Sequence, residues 1–386
     1  MAVSLSAAGL DQLDALVARH VDQGSAPGAV VLVARGDAVH VFAAGEAAPG
    51  RPMTADTQFR ITSTTKPITA ALAMTLLDDN VLALNAPVTE LLPELADRQV
   101  LRRPDGDVAD TVPAERAITL RDLLTFTFGF GLITDMFVAT TPWPVMELEA
   151  ELQLKTLGPP DPTLPWTPDE WMSRLGALPL LAQPGERWMY NTGAAATGVL
   201  ISRALGRPLP EVLRERLLTP LGMSDTGFVG SPERLPMLYQ TTADGLKPQD
   251  PPDGAWTVMP RFPDGAAGLV STATDLLAFA RMLLHGGDGV LTPATAAAMC
   301  QGQLSEAQRA RGGLGPGFFD HQSWGFCQAV EEDGSFGWAG GFGTTWRVEP
   351  TTGLIVMTLT QVQWASPHPP ALFSEVEAAA HAALAD

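Results

Sequence analysis

Lysine is almost missing from this chain. It occurs three times in 386 residues, at positions 66, 155 and 247, against 43 acidic residues and a net charge of −19. Such a surface cannot neutralise a row of phosphates, so a nucleic-acid partner is excluded and anionic ligands meet a repulsive field. Cysteine is scarcer still. Cys300 and Cys327 form no CxxC or Cys/His ligand spacing and read as reduced, small apolar residues. The six histidines are scattered without an HExxH or comparable pair, so no metal site is expected. No apolar run approaches the length of a membrane span, which excludes a membrane partner of that kind. The N-terminus lacks a basic start and a continuous apolar stretch. Leu10, Leu13, Leu16 and Val17 instead form one stripe of an amphipathic helix. A soluble, cytoplasmic protein is expected.

What is present suggests a mixed fold. "PGAVVLVARGDAVHVFAAGEA" reads as a β-hairpin turning at Arg35-Gly36-Asp37. Helical patterns follow at about 70–84, from 118 with Thr119 as N-cap and Asp122 in the first turn, after Thr167-Pro168, at 193–218, and at 268–287 behind Thr272 or Thr274. The stretch from 218 to 264 reads as loop. Near the C-terminus "SWGFCQAVEE", "SFGWAGGFGTTWRVEP" and "GLIVMTLTQV" read as three strands, then a helix from about 370 to 384. Strands at both ends and helices between them predict an α+β fold: one antiparallel sheet built from both chain ends and flanked by terminal helices. The expected division is a discontinuous sheet domain, 1–76 with 265–386, and a helical domain, 77–264, carrying a lid-like region at about 132–180.

One stretch carries chemistry. In "FRITSTTKPITAAL" (59–72), Ser63 and Lys66 stand three residues apart, hence on one helical face. Pro67 is tolerated only in a first turn, which places Ser63 at a helix N-terminus, where the local dipole favours developing negative charge. A serine hydroxyl needs a base in contact, and lysine serves when burial lowers its pKa. The competing reading is an ordinary cap beside a solvated lysine.

The rest of the chain resembles the serine β-lactamase and penicillin-binding-protein-like hydrolases. The likeness is to the branch that holds class C β-lactamases and family VIII-type esterases. "FRITSTTK" matches the SxxK element, "PGERWMYNTGAAATGVLISRALG" (184–206) the tyrosine-bearing second element, and "FGWAGGFGTTWRV" (336–348) the KTG-type strand. The resemblance covers nearly the whole chain. It implies Ser63 as acylated nucleophile, Lys66 as proton acceptor and Tyr190 as a proton shuttle whose pKa neighbouring cations can lower. It also implies an oxyanion hole from the N–H groups of Ser63 and Gly341, with Trp338, Gly340, Thr192 and Asn191 at the substrate. No cofactor is implied.

Two departures bear on substrate. Thr192 stands where the β-lactamases carry asparagine, with Asn191 one place earlier. Trp338 replaces the lysine of the third element, removing a cation that would hold a carboxylate and adding an apolar wall. Ser224-Asp225-Thr226 imitates an SDN motif but follows the tyrosine segment and reads as structural. With no GxSxG elbow and no GxxxxGK[ST] loop, α/β-hydrolase and P-loop readings lack their motifs. The expected function is a serine hydrolase cleaving small-molecule carboxylic esters of neutral, rather apolar acyl groups. The rivals are an acyltransferase using the same acyl-enzyme, a β-lactamase or D-Ala peptidase, and a non-catalytic scaffold, against which the intact Ser63, Lys66 and Tyr190 argue. The region 132–180, with Met136, Phe137, Trp143, Trp166 and Trp171, reads either as a pocket wall or as a surface excursion.

Overall fold

The computed structural model describes residues 4–366 and 368–385. Strands Gly28–Arg35 and Ala38–Ala48 pair antiparallel across the turn at Gly36-Asp37, forming the expected hairpin. The first is buried on both sides. Val30, Leu32 and Ala34 join the large core, while Val31 and Val33 meet the terminal helices. A strand covered on both faces has no use for a polar alternation, which is why its sequence is continuously apolar.

Eight strands make the main sheet. From edge to edge they are Gln322–Trp324, Ala329–Glu331, Phe336–Gly340, Thr344–Glu349, Leu354–Thr360, Gly28–Arg35, Ala38–Ala48 and Arg51–Pro52. Every neighbouring pair is antiparallel, so both chain ends do build one sheet. The three C-terminal segments expected as single strands supply five strands to the main sheet, because the first two each fold back on themselves, around residues 325–328 and 341–343. Helices Ala7–Asp22 and Ala371–Ala382 lie on one face, burying Leu13, Val17, Phe373 and Val376 against Val31, Val33 and Val356. Leu10 and Leu16 of the expected stripe are only half-buried. No helix among the described residues is long and apolar enough to cross a membrane.

Helix Thr65–Asp78 packs on helix Thr192–Leu205, and helix Ala273–Leu284 covers the other face of the sheet. The first is apolar nearly all round and buried accordingly. It begins five residues before the expected 70, with Pro67 in its first turn, where no N–H is needed. Helix Ala273–Leu284 is capped by Thr272, whose hydroxyl accepts the Asp275 N–H at 3.2 Å. The helix expected from 118 shrinks to Leu120–Leu124. Its Thr119/Asp122 capping box is intact, but the chain turns at Phe126 (φ 59°) to bury Phe126, Phe128 and Phe130. The expected loop before 264 contains a hairpin, Leu238–Thr242 with Gly245–Asp250, whose free edge pairs in parallel with Val362–Gln363. Its own composition is polar and exposed, so no local periodicity marks it.

Candidate active site

The SxxK stretch is held from two sides. Strand Phe59–Arg60 pairs with Val270–Ser271, and the Ile61 N–H continues the ladder to Leu269 O at 3.0 Å. The Ile61 carbonyl then accepts from Thr344 Oγ1 at 3.2 Å, which ties the turn to the main sheet. Residues Thr62–Thr64 form a 3₁₀ turn leading into helix Thr65–Asp78, so Ser63 stands at the helix entry, half-buried at the floor of a cavity. Thr62 is held at φ 40°, a conformation that a β-branched residue adopts only under constraint. Asn191 (φ 88°) and Cys327 (φ 62°) share this left-handed backbone in the same shell. Nothing in the local sequence announces it, since none of the three is glycine.

Lys66 is wholly buried. Its Nζ donates to Ser63 Oγ at 2.8 Å and to the Ala266 carbonyl at 2.9 Å. Burial pushes the amine down to about 7, while Asp264 and, more weakly, Cys327 pull the other way. At neutral pH a large fraction of Lys66 is therefore uncharged and able to accept a proton.

Tyr190 arrives from the far side. Its backbone exchanges two hydrogen bonds with Leu132, and its ring packs among Trp188 at 5.6 Å, Phe126 at 5.8 Å and Trp338 at 5.6 Å between centroids. Lys66 Nζ lies 4.6 Å from the ring centre. The phenol oxygen accepts a hydrogen bond from Trp338 Nε1 at 2.7 Å. The expected lowering of its pKa does not occur. Burial drives the phenol well above its ordinary value, and the hydrogen bonds with Ser63 and Trp338 offset only part of that. The physical reason is the packing of the site: the ring is buried among aromatic side chains, and Trp338, where a lysine would stand, offers a hydrogen bond without charge.

The cavity measures about 570 Å³ and includes Ser63, Tyr190, Asn191, Trp338 and Gly341 in its lining. Two of the expected substrate-contacting residues lie elsewhere. Thr192 is fully buried, and its hydroxyl bonds Thr156 Oγ1 at 2.8 Å. Gly340 is buried against the serine turn, where a Cβ would stand 2.2 Å from Ile61 O, so its bareness lets strand and turn approach. Asn191 reaches the cavity, but its Nδ2 donates to Thr156 O at 2.7 Å. Thr156 thus fastens the 132–180 region to the tyrosine segment through two bonds. Leu132, Phe137, Lys155, Pro159 and Pro160 of that region line the cavity. Of the five large side chains singled out there, Phe137 alone is among the lining residues. Trp171 stacks on Phe262 at 4.7 Å, and Trp166 lies under the Arg174 guanidinium at 3.3 Å. Asp225 and Thr226 both bond the Asp275 carboxylate at 2.8 Å, buttressing the following helix, away from the cavity.

Several cavity residues were not anticipated, and one of them is an acid. Asp264, in "PDGAAGLVST", lines the cavity and interacts with Lys66. An Asp-Gly pair ahead of a strand signals a turn, and that ordinary signal concealed it.

The chain is similar to several known proteins over nearly its whole length. Protein Rv1367c of Mycobacterium tuberculosis is 34% identical over 375 residues, covering 91% of this chain and 90% of its own length. Esterase EstB of Burkholderia gladioli is 31% identical over 397 residues, covering 94% and 93%. Among solved structures, EstCE1, a hydrolase with promiscuous acyltransferase activity, superposes with a TM-score of 0.81 at 26% identity, over 97% of this chain and 98% of its own. Simvastatin synthase (LovD) from Aspergillus terreus shares the fold, with a TM-score of 0.79 at 23% identity over 98% and 99% of the two chains. The Beta-lactamase family model matches residues 13–379, nearly the whole chain, and the protein belongs to that family.

Proposed function

We propose that this protein is a serine hydrolase that cleaves small-molecule carboxylic esters of neutral, rather apolar acyl groups through an acyl-enzyme on Ser63. The observation that carries the reading is the 2.8 Å contact between Ser63 Oγ and a wholly buried amine whose pKa lies near 7. In acylation the uncharged Lys66 takes the Ser63 proton as Oγ attacks the ester carbonyl carbon. The oxyanion is met by the N–H groups of Ser63 and Gly341, both at the cavity wall. Tyr190 gives its proton to the departing alkoxide and is reprotonated from Lys66. Its raised pKa suits this role, since it enters the cycle as a phenol. Because its oxygen accepts from Trp338, its own hydrogen is free to point toward Ser63 and the leaving group. Water then attacks the acyl carbon with the proton traffic reversed.

The apolar preference is supported by the indole of Trp338, by Phe137 and Pro159 across the cavity, and by the acidic character of the whole chain. The esterases among its relatives point the same way. Transfer of the acyl group to an alcohol is the second reading, supported by the activity named for EstCE1. Burst kinetics with p-nitrophenyl acetate and butyrate test the proposal. A stoichiometric burst lost in Ser63→Ala is expected, and a nitrocefin kcat/KM above that for the short esters would overturn the ester assignment. An added alcohol that speeds turnover and appears in the product would favour transfer.

A further inference from the structure

Asp264 lines the same cavity as Ser63 and Tyr190, yet the chemistry just described gives it no part. It sits at the head of a tight turn. Its Oδ1 accepts the Ala266 N–H at 2.7 Å, and its own backbone carbonyl accepts from Ala267 at 3.3 Å and from Gly268 at 2.9 Å. The turn is pinned to the lysine's helix, with Thr69 Oγ1 donating to Gly265 O at 2.8 Å. What this turn presents toward Ser63 is the Ala266 carbonyl, which takes a 2.9 Å hydrogen bond from Lys66 Nζ.

That bond matters for direction. An uncharged amine has two N–H groups and one lone pair. With one N–H held by Ala266 O and the Tyr190 ring 4.6 Å away, the lone pair can be aimed at Ser63 Oγ, 2.8 Å distant. If the Ala266 carbonyl turned aside, the amine would lose its reference.

We infer that Asp264 is a positioning residue for the reaction: its carboxylate folds the 264–268 turn that aims the Ala266 carbonyl at Lys66, and its negative charge stabilises the proton Lys66 receives from Ser63. The inference rests on the Ser63–Lys66 reading above. Three titratable groups face Lys66. Asp264 comes from this turn, Tyr190 from the segment ahead of helix Thr192–Leu205, and Cys327 from the loop before strand Ala329–Glu331. Burial keeps the Cys327 thiol and the Tyr190 phenol protonated, and of the three groups the Asp264 carboxyl is the one whose ordinary pKa lies below neutral. Burial raises the Asp264 pKa as well, and the Ala266 N–H and Lys66 oppose that rise, so the pair is coupled.

The test is the pH profile of kcat/KM for p-nitrophenyl butyrate between about pH 5 and 10, in wild type, Asp264→Asn and Asp264→Ser. Both variants remove the charge and keep a side-chain acceptor suited to the turn. Lys66 must be uncharged to act, and loss of the neighbouring charge favours the uncharged amine. The acid limb therefore moves to lower pH, by roughly one unit, in both variants. The plateau falls with it, because a less basic amine is a weaker proton acceptor. A lowered plateau with an unmoved acid limb would mean a merely structural turn and overturn the inference. So would loss of a cooperative melt in both variants. Fluorophosphonate labelling separates this failure from that of the parent reading. A wild type that takes up no label ends both, whereas a labelled, active wild type with unmoved limbs in the variants ends this one alone.

Discussion

The indole N–H of Trp338 donates to the phenol oxygen of Tyr190 at 2.7 Å, at the position where the KTG-type element of related enzymes presents a lysine. An ammonium there would lower the phenol's pKa and attract anions. The indole hydrogen-bonds without charge and adds an apolar surface that stands edge-on to Trp324 at 4.6 Å. Trp338→Lys should therefore move specificity toward acids. The ratio of nitrocefin to p-nitrophenyl butyrate kcat/KM is expected to rise about tenfold, the order that one methylene-scale pocket contact or a new charge contact is worth. A ratio unchanged or lowered would mean that Trp338 does not select against charge.

Tyr190→Phe keeps the ring packed on Trp188 and Phe126 and removes the proton donor. A drop of roughly 10²–10⁴ in kcat with little change in KM is expected. The raised pKa has its own optical signature. Between neutral pH and about pH 11 the tyrosinate absorbance of wild type and Tyr190→Phe should increase by the same amount, since the phenol of Tyr190 stays protonated throughout. A larger rise in wild type would show that the phenol ionises and that burial does not govern it.

Lys66→Met should abolish most activity and, under acid conditions, stabilise the fold. The amine's pKa falls from an ordinary 10.5 to about 7 on folding. In that window the unfolded chain holds a proton that the folded chain does not, so the contribution of Lys66 to stability grows as pH rises from 7 toward 10.5. Below the folded pKa the full cost of a buried charge applies, with an upper bound of roughly 4–5 kcal/mol before lost hydrogen bonds are subtracted. The Tm difference between Lys66→Met and wild type is thus expected to be more positive at pH 6 than at pH 9.5, with activity down roughly 10²–10⁴-fold. A Tm difference that is flat with pH would contradict the burial argument.

The bond between Thr156 and Thr192 joins the 132–180 region to the tyrosine segment within the core. Thr156→Val leaves the buried hydroxyl of Thr192 unpartnered, and Thr192→Val does the reverse, each costing about 1–3 kcal/mol. The double variant should cost less than the two singles together, as denaturant melts would show. Loosening this anchor should also raise KM for bulky esters more than for p-nitrophenyl acetate, because the cavity wall is formed by Phe137, Pro159 and Pro160. Additive costs would mean that the two hydroxyls are independent.

Gly340→Ala places a methyl group against Ile61 O and Thr344 Oγ1. Strand and serine turn must then separate. Activity should fall at least tenfold through misplacement of Ser63 relative to Gly341, with a cooperative melt retained. Full activity in this variant would show that the close approach is dispensable.

Much of this protein is legible along the chain. Continuous apolar strands, the Gly36-Asp37 turn, the Thr119/Asp122 capping box and the placement of Pro67 are local matters, and local sequence decides them. The Ser63–Lys66 contact belongs here too, since one helical turn joins the two side chains. Other features depend on atoms far away in the chain. The Leu238–Asp250 hairpin takes its edge partner from residue 362, and Asn191 owes its bond to Thr156. Thr192 faces the core rather than the cavity because Thr156 waits there, which no spacing in the second element could indicate. Tyr190 was expected to be acidified by cations, and its phenol is instead driven up by the aromatic packing gathered around it. Charge, burial and the direction of a lone pair are properties of an environment. The residue types needed for acyl chemistry are written in order along the sequence, while their pKa values, and the part we assign to Asp264, arise only where distant segments meet.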